Sequence, residues 1–221
     1  MSDSPSVEAV VNAVLPGLAL GFTRDRSRWT SDRDAIIAWR VTVERDGENW
    51  GPTKARIWLG VIIIPIHDLL VAGDRFYYPA SRRTVRGTLE ENLLVAAGRA
   101  RHQFLAAYET NGSTRSGLFG RKEPVLDGPE HLEHMMRKVG VPWLEKWSDH
   151  DRLMSHFLSG IAKTRSFYPT VLAESFGDYA QADAEYARLR RAAAAHPEEA
   201  DLAWVVREIG ERYPRLGAGT A

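Results

Sequence analysis

The chain has 221 residues, 29 basic and 29 acidic side chains, a formal net charge of zero and no cysteine. The absence of cysteine excludes disulfides, thiol catalysis and thiolate zinc sites, and neutrality means that any pull on an anionic partner must come from a local patch. The length suits one large domain or a domain with an extension.

The longest apolar run, Trp58 to Ile66, falls far short of a membrane span. Met1 to Ser6 carries neither a basic nor an apolar leader region. A cytoplasmic protein without a membrane partner is expected. Five of the basic residues are lysines and the rest arginines, among abundant alanine, a usage that fits a GC-rich bacterial genome.

Val7, Val10, Val11, Val14 and Leu15 recur at helical spacing after Ser4-Pro5-Ser6 and predict a short amphipathic helix, disturbed by Pro16-Gly17. Arg24 to Thr30 is charged around one aromatic, Trp29, and fits a first strand. The clearest signal is Ile36 to Ile64. Ile37, Trp39, Val41 and Val43 alternate with Ala38, Arg40, Thr42 and Glu44, a period of two that gives one face to a core and one to water. Asp46-Gly47 signals the turn of a hairpin. Ala55, Ile57, Leu59, Val61 and Ile63 share a face of the second strand. Its other face opens with Lys54, Arg56 and Trp58 and turns apolar at Ile62 and Ile64. Such a strand is expected at the sheet edge where it starts and covered on both faces later. Phe76-Tyr77-Tyr78 fits a short fourth strand.

Thr88-Leu89-Glu90-Glu91 has the capping-box pattern. It predicts a helix to about Thr110 with Leu89, Leu93, Ala96, Ala97, Ala100, Phe104 and Tyr108 inside. Asn111 to Gly128 reads as a loop, a helix follows Pro129, and Pro142 starts a further stretch. Ser148 with Asp151 is expected to cap the next helix, where Leu153, Met154, Phe157, Leu158 and Ile161 share a face. Asp178 is expected to cap a helix carrying Tyr179, Ala182, Tyr186, Leu189 and Ala193. His196-Pro197-Glu198 breaks it, and Leu202, Val205, Val206, Ile209 and Tyr213 form a matching stripe. Two such stripes with a short connector predict an antiparallel helical hairpin, and the same stripes would suit self-association. The expected fold class is α+β: an antiparallel sheet of about four strands with helices packed on one side, plus a C-terminal helical hairpin. Residues 1–177 are expected to form the α+β domain, 178–216 a hairpin extension packed on or beside it, and 217–221 a disordered tail.

Charge is concentrated between residues 80 and 122, where eight basic residues stand against three acids. Arg82, Arg83, Arg86, Arg115, Arg121 and Lys122 are the candidate binding residues. The arginine fork pairs with carboxylate or phosphate at two points, and irregular segments commonly carry binding. Gly112 to Lys122 invites a phosphate-loop reading, but the Walker pattern needs Gly-Lys-Ser/Thr, and Gly117 is followed by Leu118-Phe119. His131 and His134, with Asp149, His150 or His156, could offer metal ligands; the HExxH spacing is missing and no metal site is expected. No serine lies in a nucleophile elbow, and Asp149-His150-Asp151 on one cap cannot supply a triad. Asp32, Asp34 and Glu44 have no evident partner. No catalytic residue and no cofactor are expected. Trp39, Trp50 and Trp58 could line a pocket, but their size favours the core.

With these residues in place, the layout resembles a family of small bacterial proteins catalogued only as a domain of unknown function. The shared points are Gly21-Phe22, the Trp29 strand, the hairpin carrying Trp39, Leu59-Gly60-Val61, and Pro142-Trp143-Leu144-Glu145-Lys146-Trp147. The resemblance covers roughly residues 7–160. It implies an α+β fold without recognised catalytic residues, and some members of such families look like immunity proteins that bind and block bacterial toxins. Residues 80–127 are enlarged against that layout, and the hairpin 178–213 is an addition. The expected function is a non-enzymatic bacterial binding protein, immunity- or defence-associated, with another protein as partner. The alternatives are a nucleic-acid or phosphate-ligand binder using residues 80–122 and a small-molecule enzyme with an unrecognised site.

Overall fold

The computed structural model of the chain describes residues 5–45, 51–72, 88–101, 107–110, 128–159 and 166–218. The chain divides into two compact units, Met1–Ile62 with Arg86–Lys146 and Ile63–Val85 with Trp147–Ala221.

The first unit opens with helix α1, Val7–Val14, where Ser6 Oγ accepts the Ala9 N–H at 3.1 Å and four valines are buried. A 3-10 turn, Leu15–Leu18, follows. The sheet strands are β1 (Thr23–Asp25), β2 (Arg28–Asp32), β3 (Ile37–Glu44), β4 (Lys54–Ile63) and β5 (Leu89–Asn92), in that spatial order. Strand β6 (Tyr108–Glu109) joins β4 off this path. The antiparallel sheet of an α+β fold is therefore present, with six strands rather than about four. The Arg24–Thr30 stretch contributes two of them. It folds back at Arg26, whose positive φ of 56° makes so short a turn feasible, and sets Arg24 against Trp29 and Asp25 against Arg28.

Strand β3 keeps the predicted inward set of Ile37, Trp39, Val41 and Val43, but on the face expected toward water Ala38 and Thr42 are buried as well. Strand β4 departs from expectation. It lies between β3 and β5, its start is paired by β6 at Lys54 and Ala55, and it is buried from Ala55 to Ile63. Arg56 and Trp58, expected at an edge, are buried. They share the carboxylate of Glu44, which accepts the Trp58 indole N–H at 3.0 Å and stands 3.6 Å from Arg56 Nη1. Trp39 and Trp58 are thus core residues.

The long helix expected from Thr88 to Thr110 does not form. Leu89–Asn92 instead pairs with Trp58–Val61 of β4. A central strand has backbone donors and acceptors on both edges that cannot be left unmade inside a protein, and this outweighs a local capping pattern. The Glu91 carboxylate accepts the adjacent Asn92 N–H at 3.2 Å, and the cap is Asn92, whose Oδ1 accepts the Leu94 N–H of a one-turn helix, α3 (Leu93–Ala96), at 2.9 Å. Tyr108 is buried as expected, but on β6.

Helices α4 (Gly128–Met135) and α5 (Val141–Lys146) are continuous through a π turn, Met136–Gly140. Pro142 does not begin a new element. It has no N–H to donate, and the wider turn, closed by Val141 N–H to the Met136 carbonyl, absorbs it. A Cβ at Gly140 would lie 2.8 Å from Met136 Sδ and 3.6 Å from a Leu59 methyl, so the turn seats against the sheet face carrying Leu59. Helix α4 also packs on α1.

The second unit contains α2 (Ile64–Ala72), α6 (His150–Ser159), α7 (Tyr168–Ser175), α8 (Tyr179–Ala195), α9 (Ala200–Arg212) and α10 (Pro214–Ala218). Helix α7 packs on α2, α6 and α8. Its sequence shows no apolar period, because five successive residues, Pro169 to Ala173, are all buried. Asp149, not Ser148 or Asp151, caps α6 by accepting the Arg152 N–H at 2.9 Å. Asp178 caps α8 as expected. The helical hairpin forms through Ala182, Tyr186 and Leu189 against Leu202, Val205 and Ile209, and the Tyr186 hydroxyl donates to the Val206 carbonyl at 3.0 Å. Tyr179, expected in that stripe, is 54% exposed, and Arg215 lies over its ring. Gly217 and Ala218, expected in a disordered tail, belong to α10; residues 219–221 lie outside the described residues. Arg215 fastens α10 by pairing with Glu174 of α7 and with Asp183 of α8 at 2.7 Å. These carboxylates raise its pKa.

Candidate functional site

Arg82, Arg83, Arg86, Arg115, Arg121 and Lys122 lie outside the described residues, as do Phe76-Tyr77-Tyr78, Asp46-Gly47 and Trp50. From the same basic segment, Arg99 and Arg101 are exposed.

The described residues hold a different arginine cluster. Ser6 and Glu8 from α1, Arg24, Arg26 and Ser27 from the β1–β2 turn, Arg45 after β3, and Pro52 line a groove of about 510 Å³. Local chemistry fixes each wall. Ser6 caps α1, and the Val7 N–H donates to the Pro52 carbonyl at 2.9 Å. Val43 N–H donates to the Ser27 carbonyl at 2.9 Å, tying the turn to β3. Arg24 lies over the Trp29 ring at 5.3 Å and donates Nε–H to the Arg26 carbonyl at 2.7 Å. Both contacts hold the guanidinium in place without neutralising it. Arg26 makes no ion pair among the described residues. Arg45 is the paired member, 3.1 Å from Glu8. The α1 N-terminus adds little to the groove, since Ser6 and Pro52 already take two of its N–H groups.

The opposite face of the same strands is also cationic. Arg28 and Arg40 share it, and burial followed by the Arg28 charge lowers the Arg40 pKa, with Asp25 acting to raise it. Neither face was singled out from sequence. The signal was there in Arg24-Asp25-Arg26-Ser27-Arg28, but Arg40 joins it only through strand pairing, and Glu8 only through its ion pair with Arg45.

A second depression, of about 480 Å³, lies at the start of α6, lined by Trp147, Asp149, Asp151, Arg152, Ser155 and His156. Its aromatic wall is an edge-to-face contact of Trp147 and His156 at 5.1 Å. The Asp149-His150-Asp151 run does not assemble a catalytic relay. Asp149 is spent on the cap, His150 packs against Phe176 at 4.3 Å, its Nδ1 stands 3.3 Å from Asp151, and its Nε2 is buried without a hydrogen-bond partner. Asp34 and Glu44, without evident partners in the sequence, have structural ones. Asp34 Oδ1 accepts the N–H groups of Ile36 and Ile37, and Glu44 serves Trp58 and Arg56.

His131 is half-buried and His134 exposed on α4. Among the described residues, the metal-type cluster is instead His196, Glu198 and Glu199, with ligand atoms within 4.8 Å of one another in the turn between α8 and α9. The turn itself accounts for that proximity, because the His196 and Glu199 N–H groups close it onto α8 and His196. No helix among the described residues is long and apolar enough to cross a membrane.

Comparison with protein-family models, with curated proteins and with solved structures found no match.

Proposed function

We propose that the chain is a binding protein that docks an acidic protein surface through the groove at the β1–β2 turn. The observation that carries this reading is the pairing pattern of the groove. Arg24 and Arg26 have no carboxylate partner among the described residues, while Arg24 is anchored by a ring face and a carbonyl. A guanidinium held in place but left unneutralised binds a carboxylate with little ordering cost.

A protein suits the groove better than a nucleic acid. Glu8 stands among the arginines and would oppose a continuous phosphate backbone. The aromatic ring beside the groove, Trp29, is 2% exposed and offers no face for base stacking. The resemblance to immunity-like proteins, which act by binding and blocking, supports the same reading, with a bacterial toxin as the acidic partner.

Binding of an oligoglutamate peptide and of a DNA duplex to the full chain, each at two ionic strengths, tests the reading. The peptide should bind, the Arg24→Glu/Arg26→Glu variant should lose most of that binding at low salt, and added salt should shrink the difference. Equal peptide affinity in the variant refutes it. Preferential duplex binding with a steep salt dependence would replace it with the nucleic-acid reading.

A further inference from the structure

Across the β2–β3 pair, Arg28 stands opposite Thr42 and Thr30 opposite Arg40. Residues two apart on a strand share a face, so these four side chains form the corners of a square, with the arginines on one diagonal and the threonines on the other. The Arg40 Nε–H donation to Thr30 Oγ1 at 3.4 Å joins one edge. Diagonal neighbours on a sheet lie about 7–8 Å apart, the separation at which two guanidinium forks can hold one tetrahedral oxyanion between them.

Two features of this square are costly in an empty sheet. Arg28 faces Asp25 on β1, yet makes no ion pair among the described residues, and has like-charged Arg40 as its neighbour. Across that diagonal the Arg28 charge acts against the charged form of Arg40. The second feature is Thr42. It is 1% exposed, and its Oγ1 is buried with no hydrogen-bond partner. A buried hydroxyl without a partner forfeits the hydrogen bonds that it made to water. A donor without an acceptor and the unpaired Arg28 are answered together by one anion with several acceptor oxygens, which Arg40 adjoins.

We infer that Arg28, Arg40 and Thr42 form a site for a single oxyanion, a phosphate group, on the face of the sheet opposite the docking groove. The guanidiniums supply charge and paired N–H donors, and Thr42 supplies the hydroxyl donor from below. Thr30 keeps Arg40 upright through its Oγ1. Asp25 bounds the site on the β1 side and disfavours larger polyanions. This inference does not depend on the docking reading, since the residues differ and the ligand is a small ion.

Calorimetric titration and thermal melting of the full chain with inorganic phosphate at constant ionic strength provide the test. Phosphate should bind saturably and raise the melting temperature, and chloride should not. Arg28→Gln, which keeps a half-buried polar side chain, should weaken phosphate roughly tenfold or more, the loss expected for a charge-assisted bond. Thr42→Val separates a ligand role from a packing one. Without phosphate the variant should melt at or above the wild-type temperature, because a methyl replaces an orphan hydroxyl, while its phosphate affinity falls several-fold. A phosphoserine peptide of otherwise neutral sequence distinguishes the source. Tighter binding than inorganic phosphate, lost in Arg28→Gln, assigns the group to a phosphorylated macromolecule, and equal binding assigns it to the free ion. Absence of any phosphate response in the wild type, or unchanged affinity in both variants, overturns the site.

Discussion

Gly210 in the middle of α9 looks, by propensity alone, like a position to improve. Replacing glycine by alanine inside a helix usually gains about 0.5–1 kcal/mol. Here the new Cβ would stand 2.7 Å from the Tyr186 hydroxyl, which donates to the Val206 carbonyl at 3.0 Å. Tyr186 is 6% exposed, so its oxygen cannot turn freely to water. Displacing it forfeits a hydrogen bond of about 0.5–1.5 kcal/mol and strands a buried hydroxyl at about 1–3 kcal/mol. The loss exceeds the helical gain, and Gly210→Ala should destabilise by about 1–2 kcal/mol. In the Tyr186→Phe background the obstacle is gone, because the next ring atom is an ordinary contact at 3.9 Å. There the same substitution should stabilise. The two backgrounds should thus give opposite signs, with a coupling of about 1–3 kcal/mol, read from urea unfolding followed by far-ultraviolet circular dichroism. A Gly210→Ala substitution that stabilises the protein equally in both backgrounds would refute this seating of Tyr186 against α9.

Three further outcomes are expected. Leu59→Asp should abolish cooperative melting of the first unit, because Leu59 is fully buried and a carboxylate there has no compensating partner; an unchanged melting curve would contradict the strand register. Asn92→Ala removes the cap on Leu94 N–H at a buried position and should cost about 1–2 kcal/mol in chemical unfolding. Burial raises the pKa values of Tyr168 and Tyr213 above the ordinary 10.0. As pH rises the unfolded chain releases those protons first, so their contribution to stability is whole below pH 10.0 and is lost above it. A Tyr168→Phe/Tyr213→Phe variant should show a flatter alkaline limb in a plot of unfolding midpoint against pH.

What the sequence made legible was whatever one segment could specify alone. The alternation of Ile37, Trp39, Val41 and Val43 marks β3, and Asp178 followed by Ala182, Tyr186 and Leu189 marks α8, because each pattern repeats at the period of its own element. Leu89–Asn92 carries a helix-start signal, yet its partner is a strand some thirty residues earlier, and pairing across that distance leaves no local trace. Helix α7 is invisible for the opposite reason, being buried on every side. The arginine groove draws on residues 6–8, 24–27, 45 and 52. Its residues are ordinary charged positions until the turn at Arg26 and the pairing of β2 with β3 bring them together. The same is true of the Arg28, Thr30, Arg40 and Thr42 square, where the orphan hydroxyl is a property of packing.

The division of the chain into interleaved segments sets the order in which it can be completed on the ribosome. Strand β4 passes directly into α2, and the edge partner β5 is supplied only after residues 63–85 have emerged. The sheet therefore closes late relative to its own first four strands, and α2 waits longer, since its packing partner α7 is made more than ninety residues afterwards. During that interval the buried side chains of α2, Ile66 and Leu69, lack the α7 surface that α2 packs on. Synthesis proceeds at about 5–20 residues per second, so this exposure lasts seconds rather than microseconds. A nascent chain stalled or cut after Lys146 holds every described element of the first unit, but leaves α2 without α7, the helix it packs on. Removing the C-terminal helices from the gene would not trim an appendage. It would take away most of the second unit while leaving its first helix behind, the arrangement most prone to recruit chaperones or to aggregate.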